Sequence, residues 1–333
     1  MAERVLITGS SGFVGACLAR DLIAAGHDVH LLLRPEARPW RLKELEGRFT
    51  PQWADLRDAE SARNAVAAAR PDVIYHLAAH GAYPTQKNRV EIFETNLYGT
   101  MNLLEAARRK EYRAFVYAGS SSEYGHKKSP MRERDVLEPR GDYAISKAAG
   151  SHLCLSEAQS GRPVNVVRLF SAYGPWEEPS RLVPYVMGCC QRGENPRVTA
   201  GSQPRDFIAV EDVTALLQVA ARDPSLKGRV LHAGTGVQSR VGDIIEAIIA
   251  VVGRPVRAEY GTTQLRPDEP DCWVASIDET RALSGWQPRH DLVSGVQAMW
   301  DWYRTWADKP QAIGQQFRIV HPLLKMSPLS RAG

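Results

Sequence analysis

The first fifteen residues constrain this chain more than any other stretch. An apolar segment, residues 5–8, runs directly into a turn that carries Gly9, Gly12 and Gly15, and residues 16–23 have the composition of a helix. Glycine lets the backbone approach a pyrophosphate, and a helix N-terminus favours its negative charge. We therefore predict the first strand–turn–helix unit of an open parallel sheet with a dinucleotide site, although a tight turn without a ligand has the same glycines.

Strands and helices alternate through the first two thirds of the chain. Four further apolar segments have strand length: residues 29–33, 73–77, 114–118 and 164–170. A helix is predicted over residues 94–109, with one apolar face formed by Leu97, Met101, Leu104 and Ala107. Such alternation predicts right-handed crossovers and an α/β fold with a doubly wound parallel sheet, the Rossmann fold.

The pattern becomes irregular after residue 175, where prolines accumulate. We predict a dinucleotide-binding domain over residues 1–175, to which later segments return, and a smaller, irregular α/β substrate lobe over residues 176–309. Three helices are predicted in that lobe: residues 184–192, 210–222 and 241–252. Residues 310–333 lack periodicity and are predicted to form a C-terminal tail.

Composition argues against several classes of function. The net charge of +4 is small, and the basic clusters at residues 34–48 and 108–113 are predicted to be solvated faces with no nucleic-acid partner. No apolar run approaches the ~20 residues of a membrane helix. Five cysteines without metal-ligand spacing predict reduced thiols and no metal site. Because the chain enters a strand almost at once, we expect no signal peptide and a cytoplasmic protein.

One pair of residues carries a chemical signal. Tyr143 and Lys147 are four residues apart, so on a helix they lie on one face. A nearby ammonium lowers a tyrosine pKa, which makes Tyr143 a candidate general acid or base for a hydroxyl–ketone conversion. Ser120 follows the predicted strand at residues 114–118, at the edge where open α/β sheets bind ligands. A surface Tyr–Lys pair and a plain Ser/Gly turn are the alternatives.

These features together resemble the extended short-chain dehydrogenase/reductase family, in its nucleotide-sugar branch. The resemblance covers roughly residues 3–305. It rests on motifs distributed along the chain: residues 8–15, 55–56, 76–79, 96, 120–125, Tyr143 with Lys147, and residues 168–175, 205–207 and 285–288.

The resemblance implies a role for each of these positions. The catalytic set would be Ser120, Tyr143 and Lys147. The cofactor would be bound by the turn and by residues that follow the strands: Gly9, Gly12, Phe13, Val14, Gly15, Asp55, Leu56, Leu77, Ala78, Ala79, Asn96 and Phe170, together with Tyr143 and Lys147. The sugar nucleotide would be bound by Ser121, Ser122, Glu123, Ser171, Arg205 and Arg266. The two arginines would bind its diphosphate, unless they form surface ion pairs with Asp206 and Asp268.

The end of the second strand bears on which dinucleotide is bound. NAD-preferring proteins place an acid there for the ribose hydroxyls, whereas here Arg34 follows residues 29–33. Arg34 would instead bind a 2′-phosphate, with Arg38 assisting, unless it is a solvated strand end. We expect NADP(H), with NAD(H) as the alternative.

The serine cluster bears on the reaction. Sugar-nucleotide 4,6-dehydratases carry an acid at the position of Ser122, and here the acid is one residue later, at Glu123. One residue changes the side-chain direction on a strand, which argues against a dehydratase unless a distorted loop brings Glu123 in. The run of residues 119–125 resembles that of the 4-keto-6-deoxyhexose reductases. Ser171 replaces an asparagine that is common in the family, which indicates a different sugar.

We therefore expect an NADPH-dependent reductase of a nucleotide-linked 4-keto sugar, in which Tyr143 donates the proton. The first alternative is an NAD-dependent 4-epimerase, followed by a 4,6-dehydratase and by a cofactor-binding regulator without catalysis. The family also implies a homodimer, formed by residues 94–109 and 142–159. No membrane partner is expected.

Overall fold

The computed structural model describes residues 2–37, 39–83, 85–263 and 269–307. Its strands are β1 (Arg4–Thr8), β2 (Asp28–Leu33), β3 (Thr50–Trp53), β4 (Val73–His76), β5 (Ala114–Ser120), β6 (Val164–Leu169), β7 (Ser171–Tyr173), β8 (Pro204–Arg205), β9 (Phe207–Ala209), β10 (Val230–Ala233) and β11 (Ser239–Arg240). Its α-helices are α1 (Phe13–Ala24), α2 (Ala59–Ala69), α3 (Arg89–Phe93), α4 (Gly99–Arg108), α5 (Gly141–Gln159), α6 (Leu182–Arg192), α7 (Val210–Arg222), α8 (Val241–Val252), α9 (Asp278–Ser284) and α10 (Leu292–Ala307).

Seven parallel strands form the main sheet, in the order β10-β6-β5-β4-β1-β2-β3. One face of the sheet packs against α1 and α7, and the other packs against α2, α4 and α5. The central strands β4, β5 and β6 are buried along almost their whole length because both faces are covered. The doubly wound parallel sheet predicted from the sequence is therefore confirmed.

The glycine-rich turn brings three elements into backbone contact. Gly9 has a positive φ of 70°, and a Cβ atom on it would lie 2.5 Å from the backbone of Leu77 and Ala78. A Cβ atom on Gly15 would lie 2.4 Å from the Gly9 carbonyl oxygen. Because no side chain fits at either position, α1 lies directly against the ends of β1 and β4.

The helix predicted over residues 94–109 is interrupted. A π-helical turn, Glu94–Tyr98, separates α3 from α4. A π turn contains an extra residue and rotates the following side chains by roughly 100°. Thr100 and Leu103 are consequently buried, whereas Met101, predicted on the apolar face, is 45% exposed.

The second lobe contains α6, α8 and α10, which share one apolar core, and the short β8–β11 pair. The helix at residues 210–222 was predicted for this lobe, and that placement is wrong. Val213, Leu216 and Leu217 of α7 pack in the main-sheet core together with Leu231 of β10. The apolar face of α7 thus packs against the main sheet, and the chain then adds β10 as the edge strand of that sheet. The predicted tail, residues 310–333, lies outside the described residues.

Three findings concern the cysteine thiols, metal-binding clusters and membrane-spanning helices. All five cysteines are free, and only Cys272 is not buried. Within the described ranges there is no group of three or more His, Cys, Asp or Glu side chains arranged to hold a metal ion. None of the helices in those ranges has both the length and the apolar character needed to cross a membrane.

Candidate functional site

The N-terminus of α1 forms a cradle at the carboxyl edge of the sheet. Gly12 precedes Phe13 and Val14, the first helical residues, and its N–H donates to the Gly9 carbonyl at 3.0 Å. No side chain caps this helix, and its first turn carries no acidic residue. Free backbone N–H groups beside glycines that exclude a Cβ atom fit the diphosphate of a dinucleotide.

The loop after β3 presents Asp55 and Leu56 beside this cradle. The Arg57 guanidinium binds the Asp55 carboxylate at 2.6 Å, which holds the pKa of Asp55 below its usual range. Leu56 is buried. Arg34 also contributes to the lowered pKa of Asp55, but its side chain is 55% exposed and pairs with Glu36 at 3.3 Å. Arg38 lies outside the described residues.

A buried hydrogen-bond chain supports the residues that follow β4. The Ala78 N–H donates to Thr8 Oγ1 at 3.2 Å, and Thr8 Oγ1 lies 2.7 Å from His76 Nδ1. On the other side of the ring, His76 Nε2 lies 2.9 Å from Thr100 Oγ1, which donates to the Asn96 carbonyl. This chain sets the backbone at Leu77, Ala78 and Ala79, the predicted cofactor contacts.

The donors and acceptors in this chain determine the proton positions on His76. Since Thr100 Oγ1 uses its proton on the Asn96 carbonyl, it must accept from His76 Nε2. Because burial keeps the ring neutral, Nδ1 carries no proton and accepts from Thr8 Oγ1. Burial, with a contribution from the Lys147 charge, lowers the pKa of His76 to about 3.

Asn96 lies in the π-helical turn and supports the site from behind. Its Oδ1 accepts from the His80 N–H at 2.7 Å, and its Nδ2 donates to the His80 carbonyl at 2.8 Å and to Ser146 Oγ at 2.9 Å. Asn96 is 1% exposed. Both the oxygen and the nitrogen of its side-chain amide are bound to protein atoms. Asn96 therefore positions the loop after β4, which carries the predicted cofactor contacts.

The structure brings Ser120 and Tyr143 together. Ser120 ends β5, and Tyr143 lies in the first turn of α5, half-buried. The Ser120 side chain lies near enough to the Tyr143 phenol to lower its pKa. Ser120 Oγ also lies 2.8 Å from Ser122 Oγ. A hydroxyl and a phenol thus meet at the carboxyl edge of the sheet.

Lys147 lies one turn further along α5, buried against an aromatic ring. Its Nζ atom is 4.1 Å from the centroid of the Tyr117 ring, and the residue is 2% exposed. Burial lowers the pKa of Lys147 to about 8, although the charge of Glu123 acts in the opposite direction.

Burial, rather than a neighbouring charge, has the largest effect on the Tyr143 pKa. Burial raises the pKa of Tyr143, and the nearby Ser120 side chain opposes that shift. The charge of Arg181 also lowers the Tyr143 pKa.

Glu123 does not face the cleft, so its prediction as a substrate-binding residue is wrong. It is fully buried, and its Oε1 accepts from the Ser120 N–H at 2.7 Å. Its Oε2 accepts from Ser151 Oγ and Arg168 Nε, both at 2.8 Å. The 3₁₀ turn Ser121–Tyr124 directs this side chain into the protein.

The other predicted residues near the serine cluster differ in exposure. Ser121 is 6% exposed, whereas Ser122 is half-buried. Phe170, predicted to contact the cofactor, is 6% exposed and packs edge-on against His232 with ring centroids 5.4 Å apart. Ser171 begins β7, and its N–H donates to the Asp206 carbonyl at 2.9 Å.

Arg205 has a different partner from the one considered in the sequence. Its guanidinium binds Glu269 at 2.8 Å. Asp206 is fully buried and accepts from the backbone N–H groups of Thr235, Gly236 and Ala275. Arg266 lies outside the described residues.

Arg41 was predicted to be part of a solvated basic face, and that is wrong. It is 5% exposed and stacks on Trp40, with its guanidinium carbon 4.3 Å from the ring centroid. Its guanidinium donates to the Ser11 carbonyl at 3.3 Å, the Trp176 carbonyl at 2.7 Å and the Glu178 carboxylate at 2.9 Å. Arg41 thereby links the glycine-rich turn to the segment that follows β7. Arg41 lies in a short 3₁₀ helix, Trp40–Leu45. The apolar side chains of Trp40, Leu42 and Leu45 are the pattern that could have indicated it.

That segment supplies two further residues that the sequence analysis missed. The Arg181 guanidinium carbon lies 5.5 Å from the centroid of the Tyr83 ring, and Arg181 Nε lies 3.9 Å from Glu177 Oε1. Glu177 is 9% exposed, and burial raises its pKa to about 8. Spacing alone gave no signal for these residues, because the cleft is assembled from distant segments.

Comparisons with known proteins agree with this architecture. A sequence model of the "NAD dependent epimerase/dehydratase family" matches residues 5–234. The chain is 27% identical to a UDP-N-acetyl-alpha-D-glucosaminuronate decarboxylase from Bacillus cytotoxicus, over 91% of this chain and 98% of that protein. It is 30% identical to a UDP-glucose 4-epimerase from Mycolicibacterium smegmatis, over 90% of this chain and 98% of that protein. The crystal structure of a Thermus thermophilus UDP-glucose 4-epimerase in complex with NAD superimposes with a TM-score of 0.81 at 27% identity, covering 90% of this chain and 99% of that chain.

The buried neutral His76 predicts a loss of stability in acid. Between pH 6.5 and 3 its ring binds a proton in the unfolded chain but not in the folded one, so the free energy of unfolding falls as the pH falls. The contribution is about 1.4 kcal/mol per pH unit. Urea unfolding from pH 7 to pH 4.5 should therefore give a flatter pH dependence for His76→Asn than for the wild type. His152→Asn, at an exposed histidine, is the control, and equal slopes in all three proteins would contradict the assignment.

Proposed function

The chain belongs to the NAD dependent epimerase/dehydratase family, and from this premise we propose that it is a nucleotide-sugar 4-epimerase. The observation that supports the proposal is the meeting of Ser120 and Tyr143 at the carboxyl edge of the sheet, with Lys147 one turn away. Open α/β sheets bind ligands at this edge. A phenol and a hydroxyl placed there can exchange a proton with a sugar hydroxyl.

Each residue of the set has a separate task. Tyr143 Oη takes the proton of the sugar 4-hydroxyl. It returns the proton to the same oxygen after the oxidised sugar has rotated to present its opposite face. Ser120 Oγ donates a hydrogen bond to that oxygen while it carries negative charge. Lys147 holds the ribose of the dinucleotide and stabilises the phenolate of Tyr143 when the site is occupied. A bound nicotinamide dinucleotide would supply the hydride acceptor and donor for C4 of the sugar.

A dehydratase is less well supported than an epimerase. Elimination of water across C5 and C6 needs an acid beside the sugar, and Ser122 occupies the position where dehydratases carry one. The neighbouring carboxylate of Glu123 is fully buried and bound to Ser120, Ser151 and Arg168. It is therefore unable to approach a substrate without breaking three hydrogen bonds.

An NADPH-dependent 4-keto reductase is the second candidate, and Arg34 is the observation that favours it. Arg34 follows β2, where an NAD-binding protein would carry an acid. Its ion pair with Glu36 is exposed, so the guanidinium can leave that partner for a 2′-phosphate at small cost. The NAD complex of the Thermus thermophilus relative supports the epimerase instead.

We propose a nucleotide diphosphate sugar as the substrate, with UDP as its nucleotide, because the relatives compared above are named for UDP sugars. It would lie in the cleft between the dinucleotide-binding domain, residues 1–175, and the lobe over residues 176–309.

Arg205 and Arg266 would bind the diphosphate, for which guanidinium groups are suited by their paired donors. Arg205 would exchange its partner Glu269 for the substrate. Ser121, Ser122 and Ser171 would contact the sugar.

We also propose a homodimer. Tyr98 is 52% exposed, and two neighbouring helices present Met101 and Ile145, which are 45% and 40% exposed. These three apolar side chains lie on the π-helical turn, α4 and α5, the elements that the family uses for pairing. The rotation produced by the π turn places Met101 on this surface.

The state of the cofactor tests the epimerase against the reductase. An epimerase recycles its dinucleotide, so we expect denatured wild-type protein to release NAD, and Arg34→Met to leave NADH affinity unchanged. Arg48→Met is a control at another exposed arginine. Little retained dinucleotide, together with a preference for NADPH that Arg34→Met removes, would establish the reductase instead. Chromatography of the released nucleotide and fluorescence titration provide both measurements.

Loss of the Tyr143 hydroxyl tests the catalytic assignment. We expect Tyr143→Phe to lower kcat on UDP-hexoses by about 10²–10⁴-fold, since proton transfer is lost. Dinucleotide affinity should change little. Tyr112→Phe, remote from the cleft, is the matched control. Chromatographic separation of C4 epimers measures turnover, and an equal loss of affinity and turnover would contradict the assignment.

Charges placed on the apolar surface test the dimer. Met101→Glu/Ile145→Glu should give a monomer, because burying two carboxylates at an interface without partners is unfavourable. Val136→Glu, at a valine that is 76% exposed elsewhere, should leave the wild-type state unchanged. Sedimentation velocity distinguishes the two states. A monomeric wild type, or a dimer in the double variant, would refute the proposed interface.

A further inference from the structure

The end of β5 is held by a buried ion pair that the proposed reaction does not use. The Glu123 carboxylate and the Arg168 guanidinium are 0% and 3% exposed, with Nε and Oε2 2.8 Å apart. Glu123 also accepts from the Ser120 N–H and from Ser151 Oγ. One carboxylate therefore joins the end of β5, the helix α5 and the strand β6.

Arg168 is itself fixed, so the pair has no freedom to move. Its Nη1 donates to the Tyr124 hydroxyl and, at 3.2 Å, to the Glu133 carbonyl. Tyr124 Oη in turn lies 2.6 Å from His232 Nε2, and His232 Nδ1 donates to the Ser276 carbonyl at 2.9 Å. Both charges thus have hydrogen-bond partners on every side, which is the condition for stable burial.

The same carboxylate acts on Lys147 through space. Four titratable groups interact with the Lys147 ammonium: His76 from β4, Tyr117 from β5, Glu123 from the 3₁₀ turn and Cys154 from α5 itself. Tyr143 lies one turn before Lys147 on α5. His76 is neutral, and burial raises the pKa values of Tyr117, Tyr143 and Cys154, so these groups carry no charge at neutral pH. The ionised neighbour is Glu123, because it pairs with Arg168.

We propose that Glu123 is a positioning residue for catalysis: it orients Ser120 through the backbone N–H, ties Ser120 to α5 through Ser151, and stabilises the ammonium form of Lys147. This inference rests on the proposed function, because it takes Ser120, Tyr143 and Lys147 as the reacting set. In this role Glu123 acts on the catalytic residues and does not contact the substrate, since its carboxylate is buried away from the cleft.

Three variants separate charge from geometry. Glu123→Gln/Arg168→Met removes both buried charges together, so neither is left without a partner. Glu123→Asp keeps the charge but is one methylene too short to reach both Ser120 and Arg168. Ser151→Ala removes one hydrogen bond to the carboxylate and is the control for a local loss of packing. Circular dichroism and thermal melting establish that each variant is folded.

The first readout is the titration of Lys147 itself. Protein carrying lysine labelled with ¹³C at Cε gives one signal per lysine, and the Lys147 signal is the one missing from Lys147→Arg. In the wild type we expect a midpoint near the pKa of about 8. It should move to lower pH in Glu123→Gln/Arg168→Met and stay near the wild-type value in Glu123→Asp and Ser151→Ala. An unchanged midpoint in the double variant overturns the electrostatic part of the proposal.

The second readout is turnover of UDP-hexoses. We expect kcat to fall at least tenfold in Glu123→Asp with KM nearly unchanged, because the carboxylate orients Ser120 without contacting substrate. In the double variant the alkaline limb of the pH–rate profile should also move to lower pH. Ser151→Ala should lose less activity than Glu123→Asp and keep the wild-type profile. Folded Glu123→Asp with full kcat would reduce Glu123 to a structural residue and overturn the proposal.

The two readouts also separate this inference from the proposed function. If wild-type protein turns over none of the UDP-hexoses, the proposed epimerase fails, while the Lys147 titration still decides whether Glu123 stabilises the ammonium. If the wild type is active and the titration does not move, the epimerase stands and the role of Glu123 fails. Should the double variant not fold, Glu123→Asp alone decides the positioning role through kcat and KM.

Discussion

Close contact between backbones at the glycine-rich turn is the constraint on which the rest of this structure depends. Gly9 lies against Leu77 and Ala78 of the neighbouring strand connection, and Gly15 lies against Gly9. A methyl group at either position would push α1 away from the sheet. The position of α1 then determines where the Ser11 carbonyl lies. Arg41 donates to that carbonyl and also to the Trp176 carbonyl and the Glu178 carboxylate, so it fixes the segment after β7 relative to α1.

Three buried polar networks hold the carboxyl edge of the sheet in place. One runs from Ala78 through His76 to Asn96, one joins Ser120 to Arg168 through Glu123, and one is centred on Arg41. Each satisfies its donors and acceptors within the protein. Removing one partner of a buried charge pair typically costs about 3–5 kcal/mol, so the edge has few alternative arrangements.

Sequence patterns predicted the features that local periodicity encodes. Residues 210–222 and 241–252 are helical over the bounds predicted, and the glycine-rich turn lies between strand and helix as expected. Periodicity alone did not reveal the π-helical turn at Glu94–Tyr98, which moved Met101 to the surface. It did not predict which core α7 would join, because an apolar helical face fits either lobe.

Errors at the candidate site have a different origin. Glu123 and Arg41 each have a side chain whose direction depends on partners far away in sequence: Arg168 and Trp176. A charged residue in a turn or a basic cluster is ordinarily solvated, and only the folded chain supplies the partners that make burial favourable. Sequence reasoning therefore identified which residues gather at the edge better than it identified which of them face the cleft.

The tryptophans have an optical consequence. Trp40, Trp176, Trp302 and Trp306, half of the eight in the chain, form one cluster with ring centroids 4.9 to 6.1 Å apart. At such separations the indole transitions couple, so absorbed light is shared among the rings instead of remaining on one. The rings come from the segment after β2, the segment after β7 and the C-terminal helix α10, and Trp176 also stacks on Arg20 of α1. The near-ultraviolet contribution of this cluster is thus a collective property of three distant segments, and it exists in full only while they are packed together.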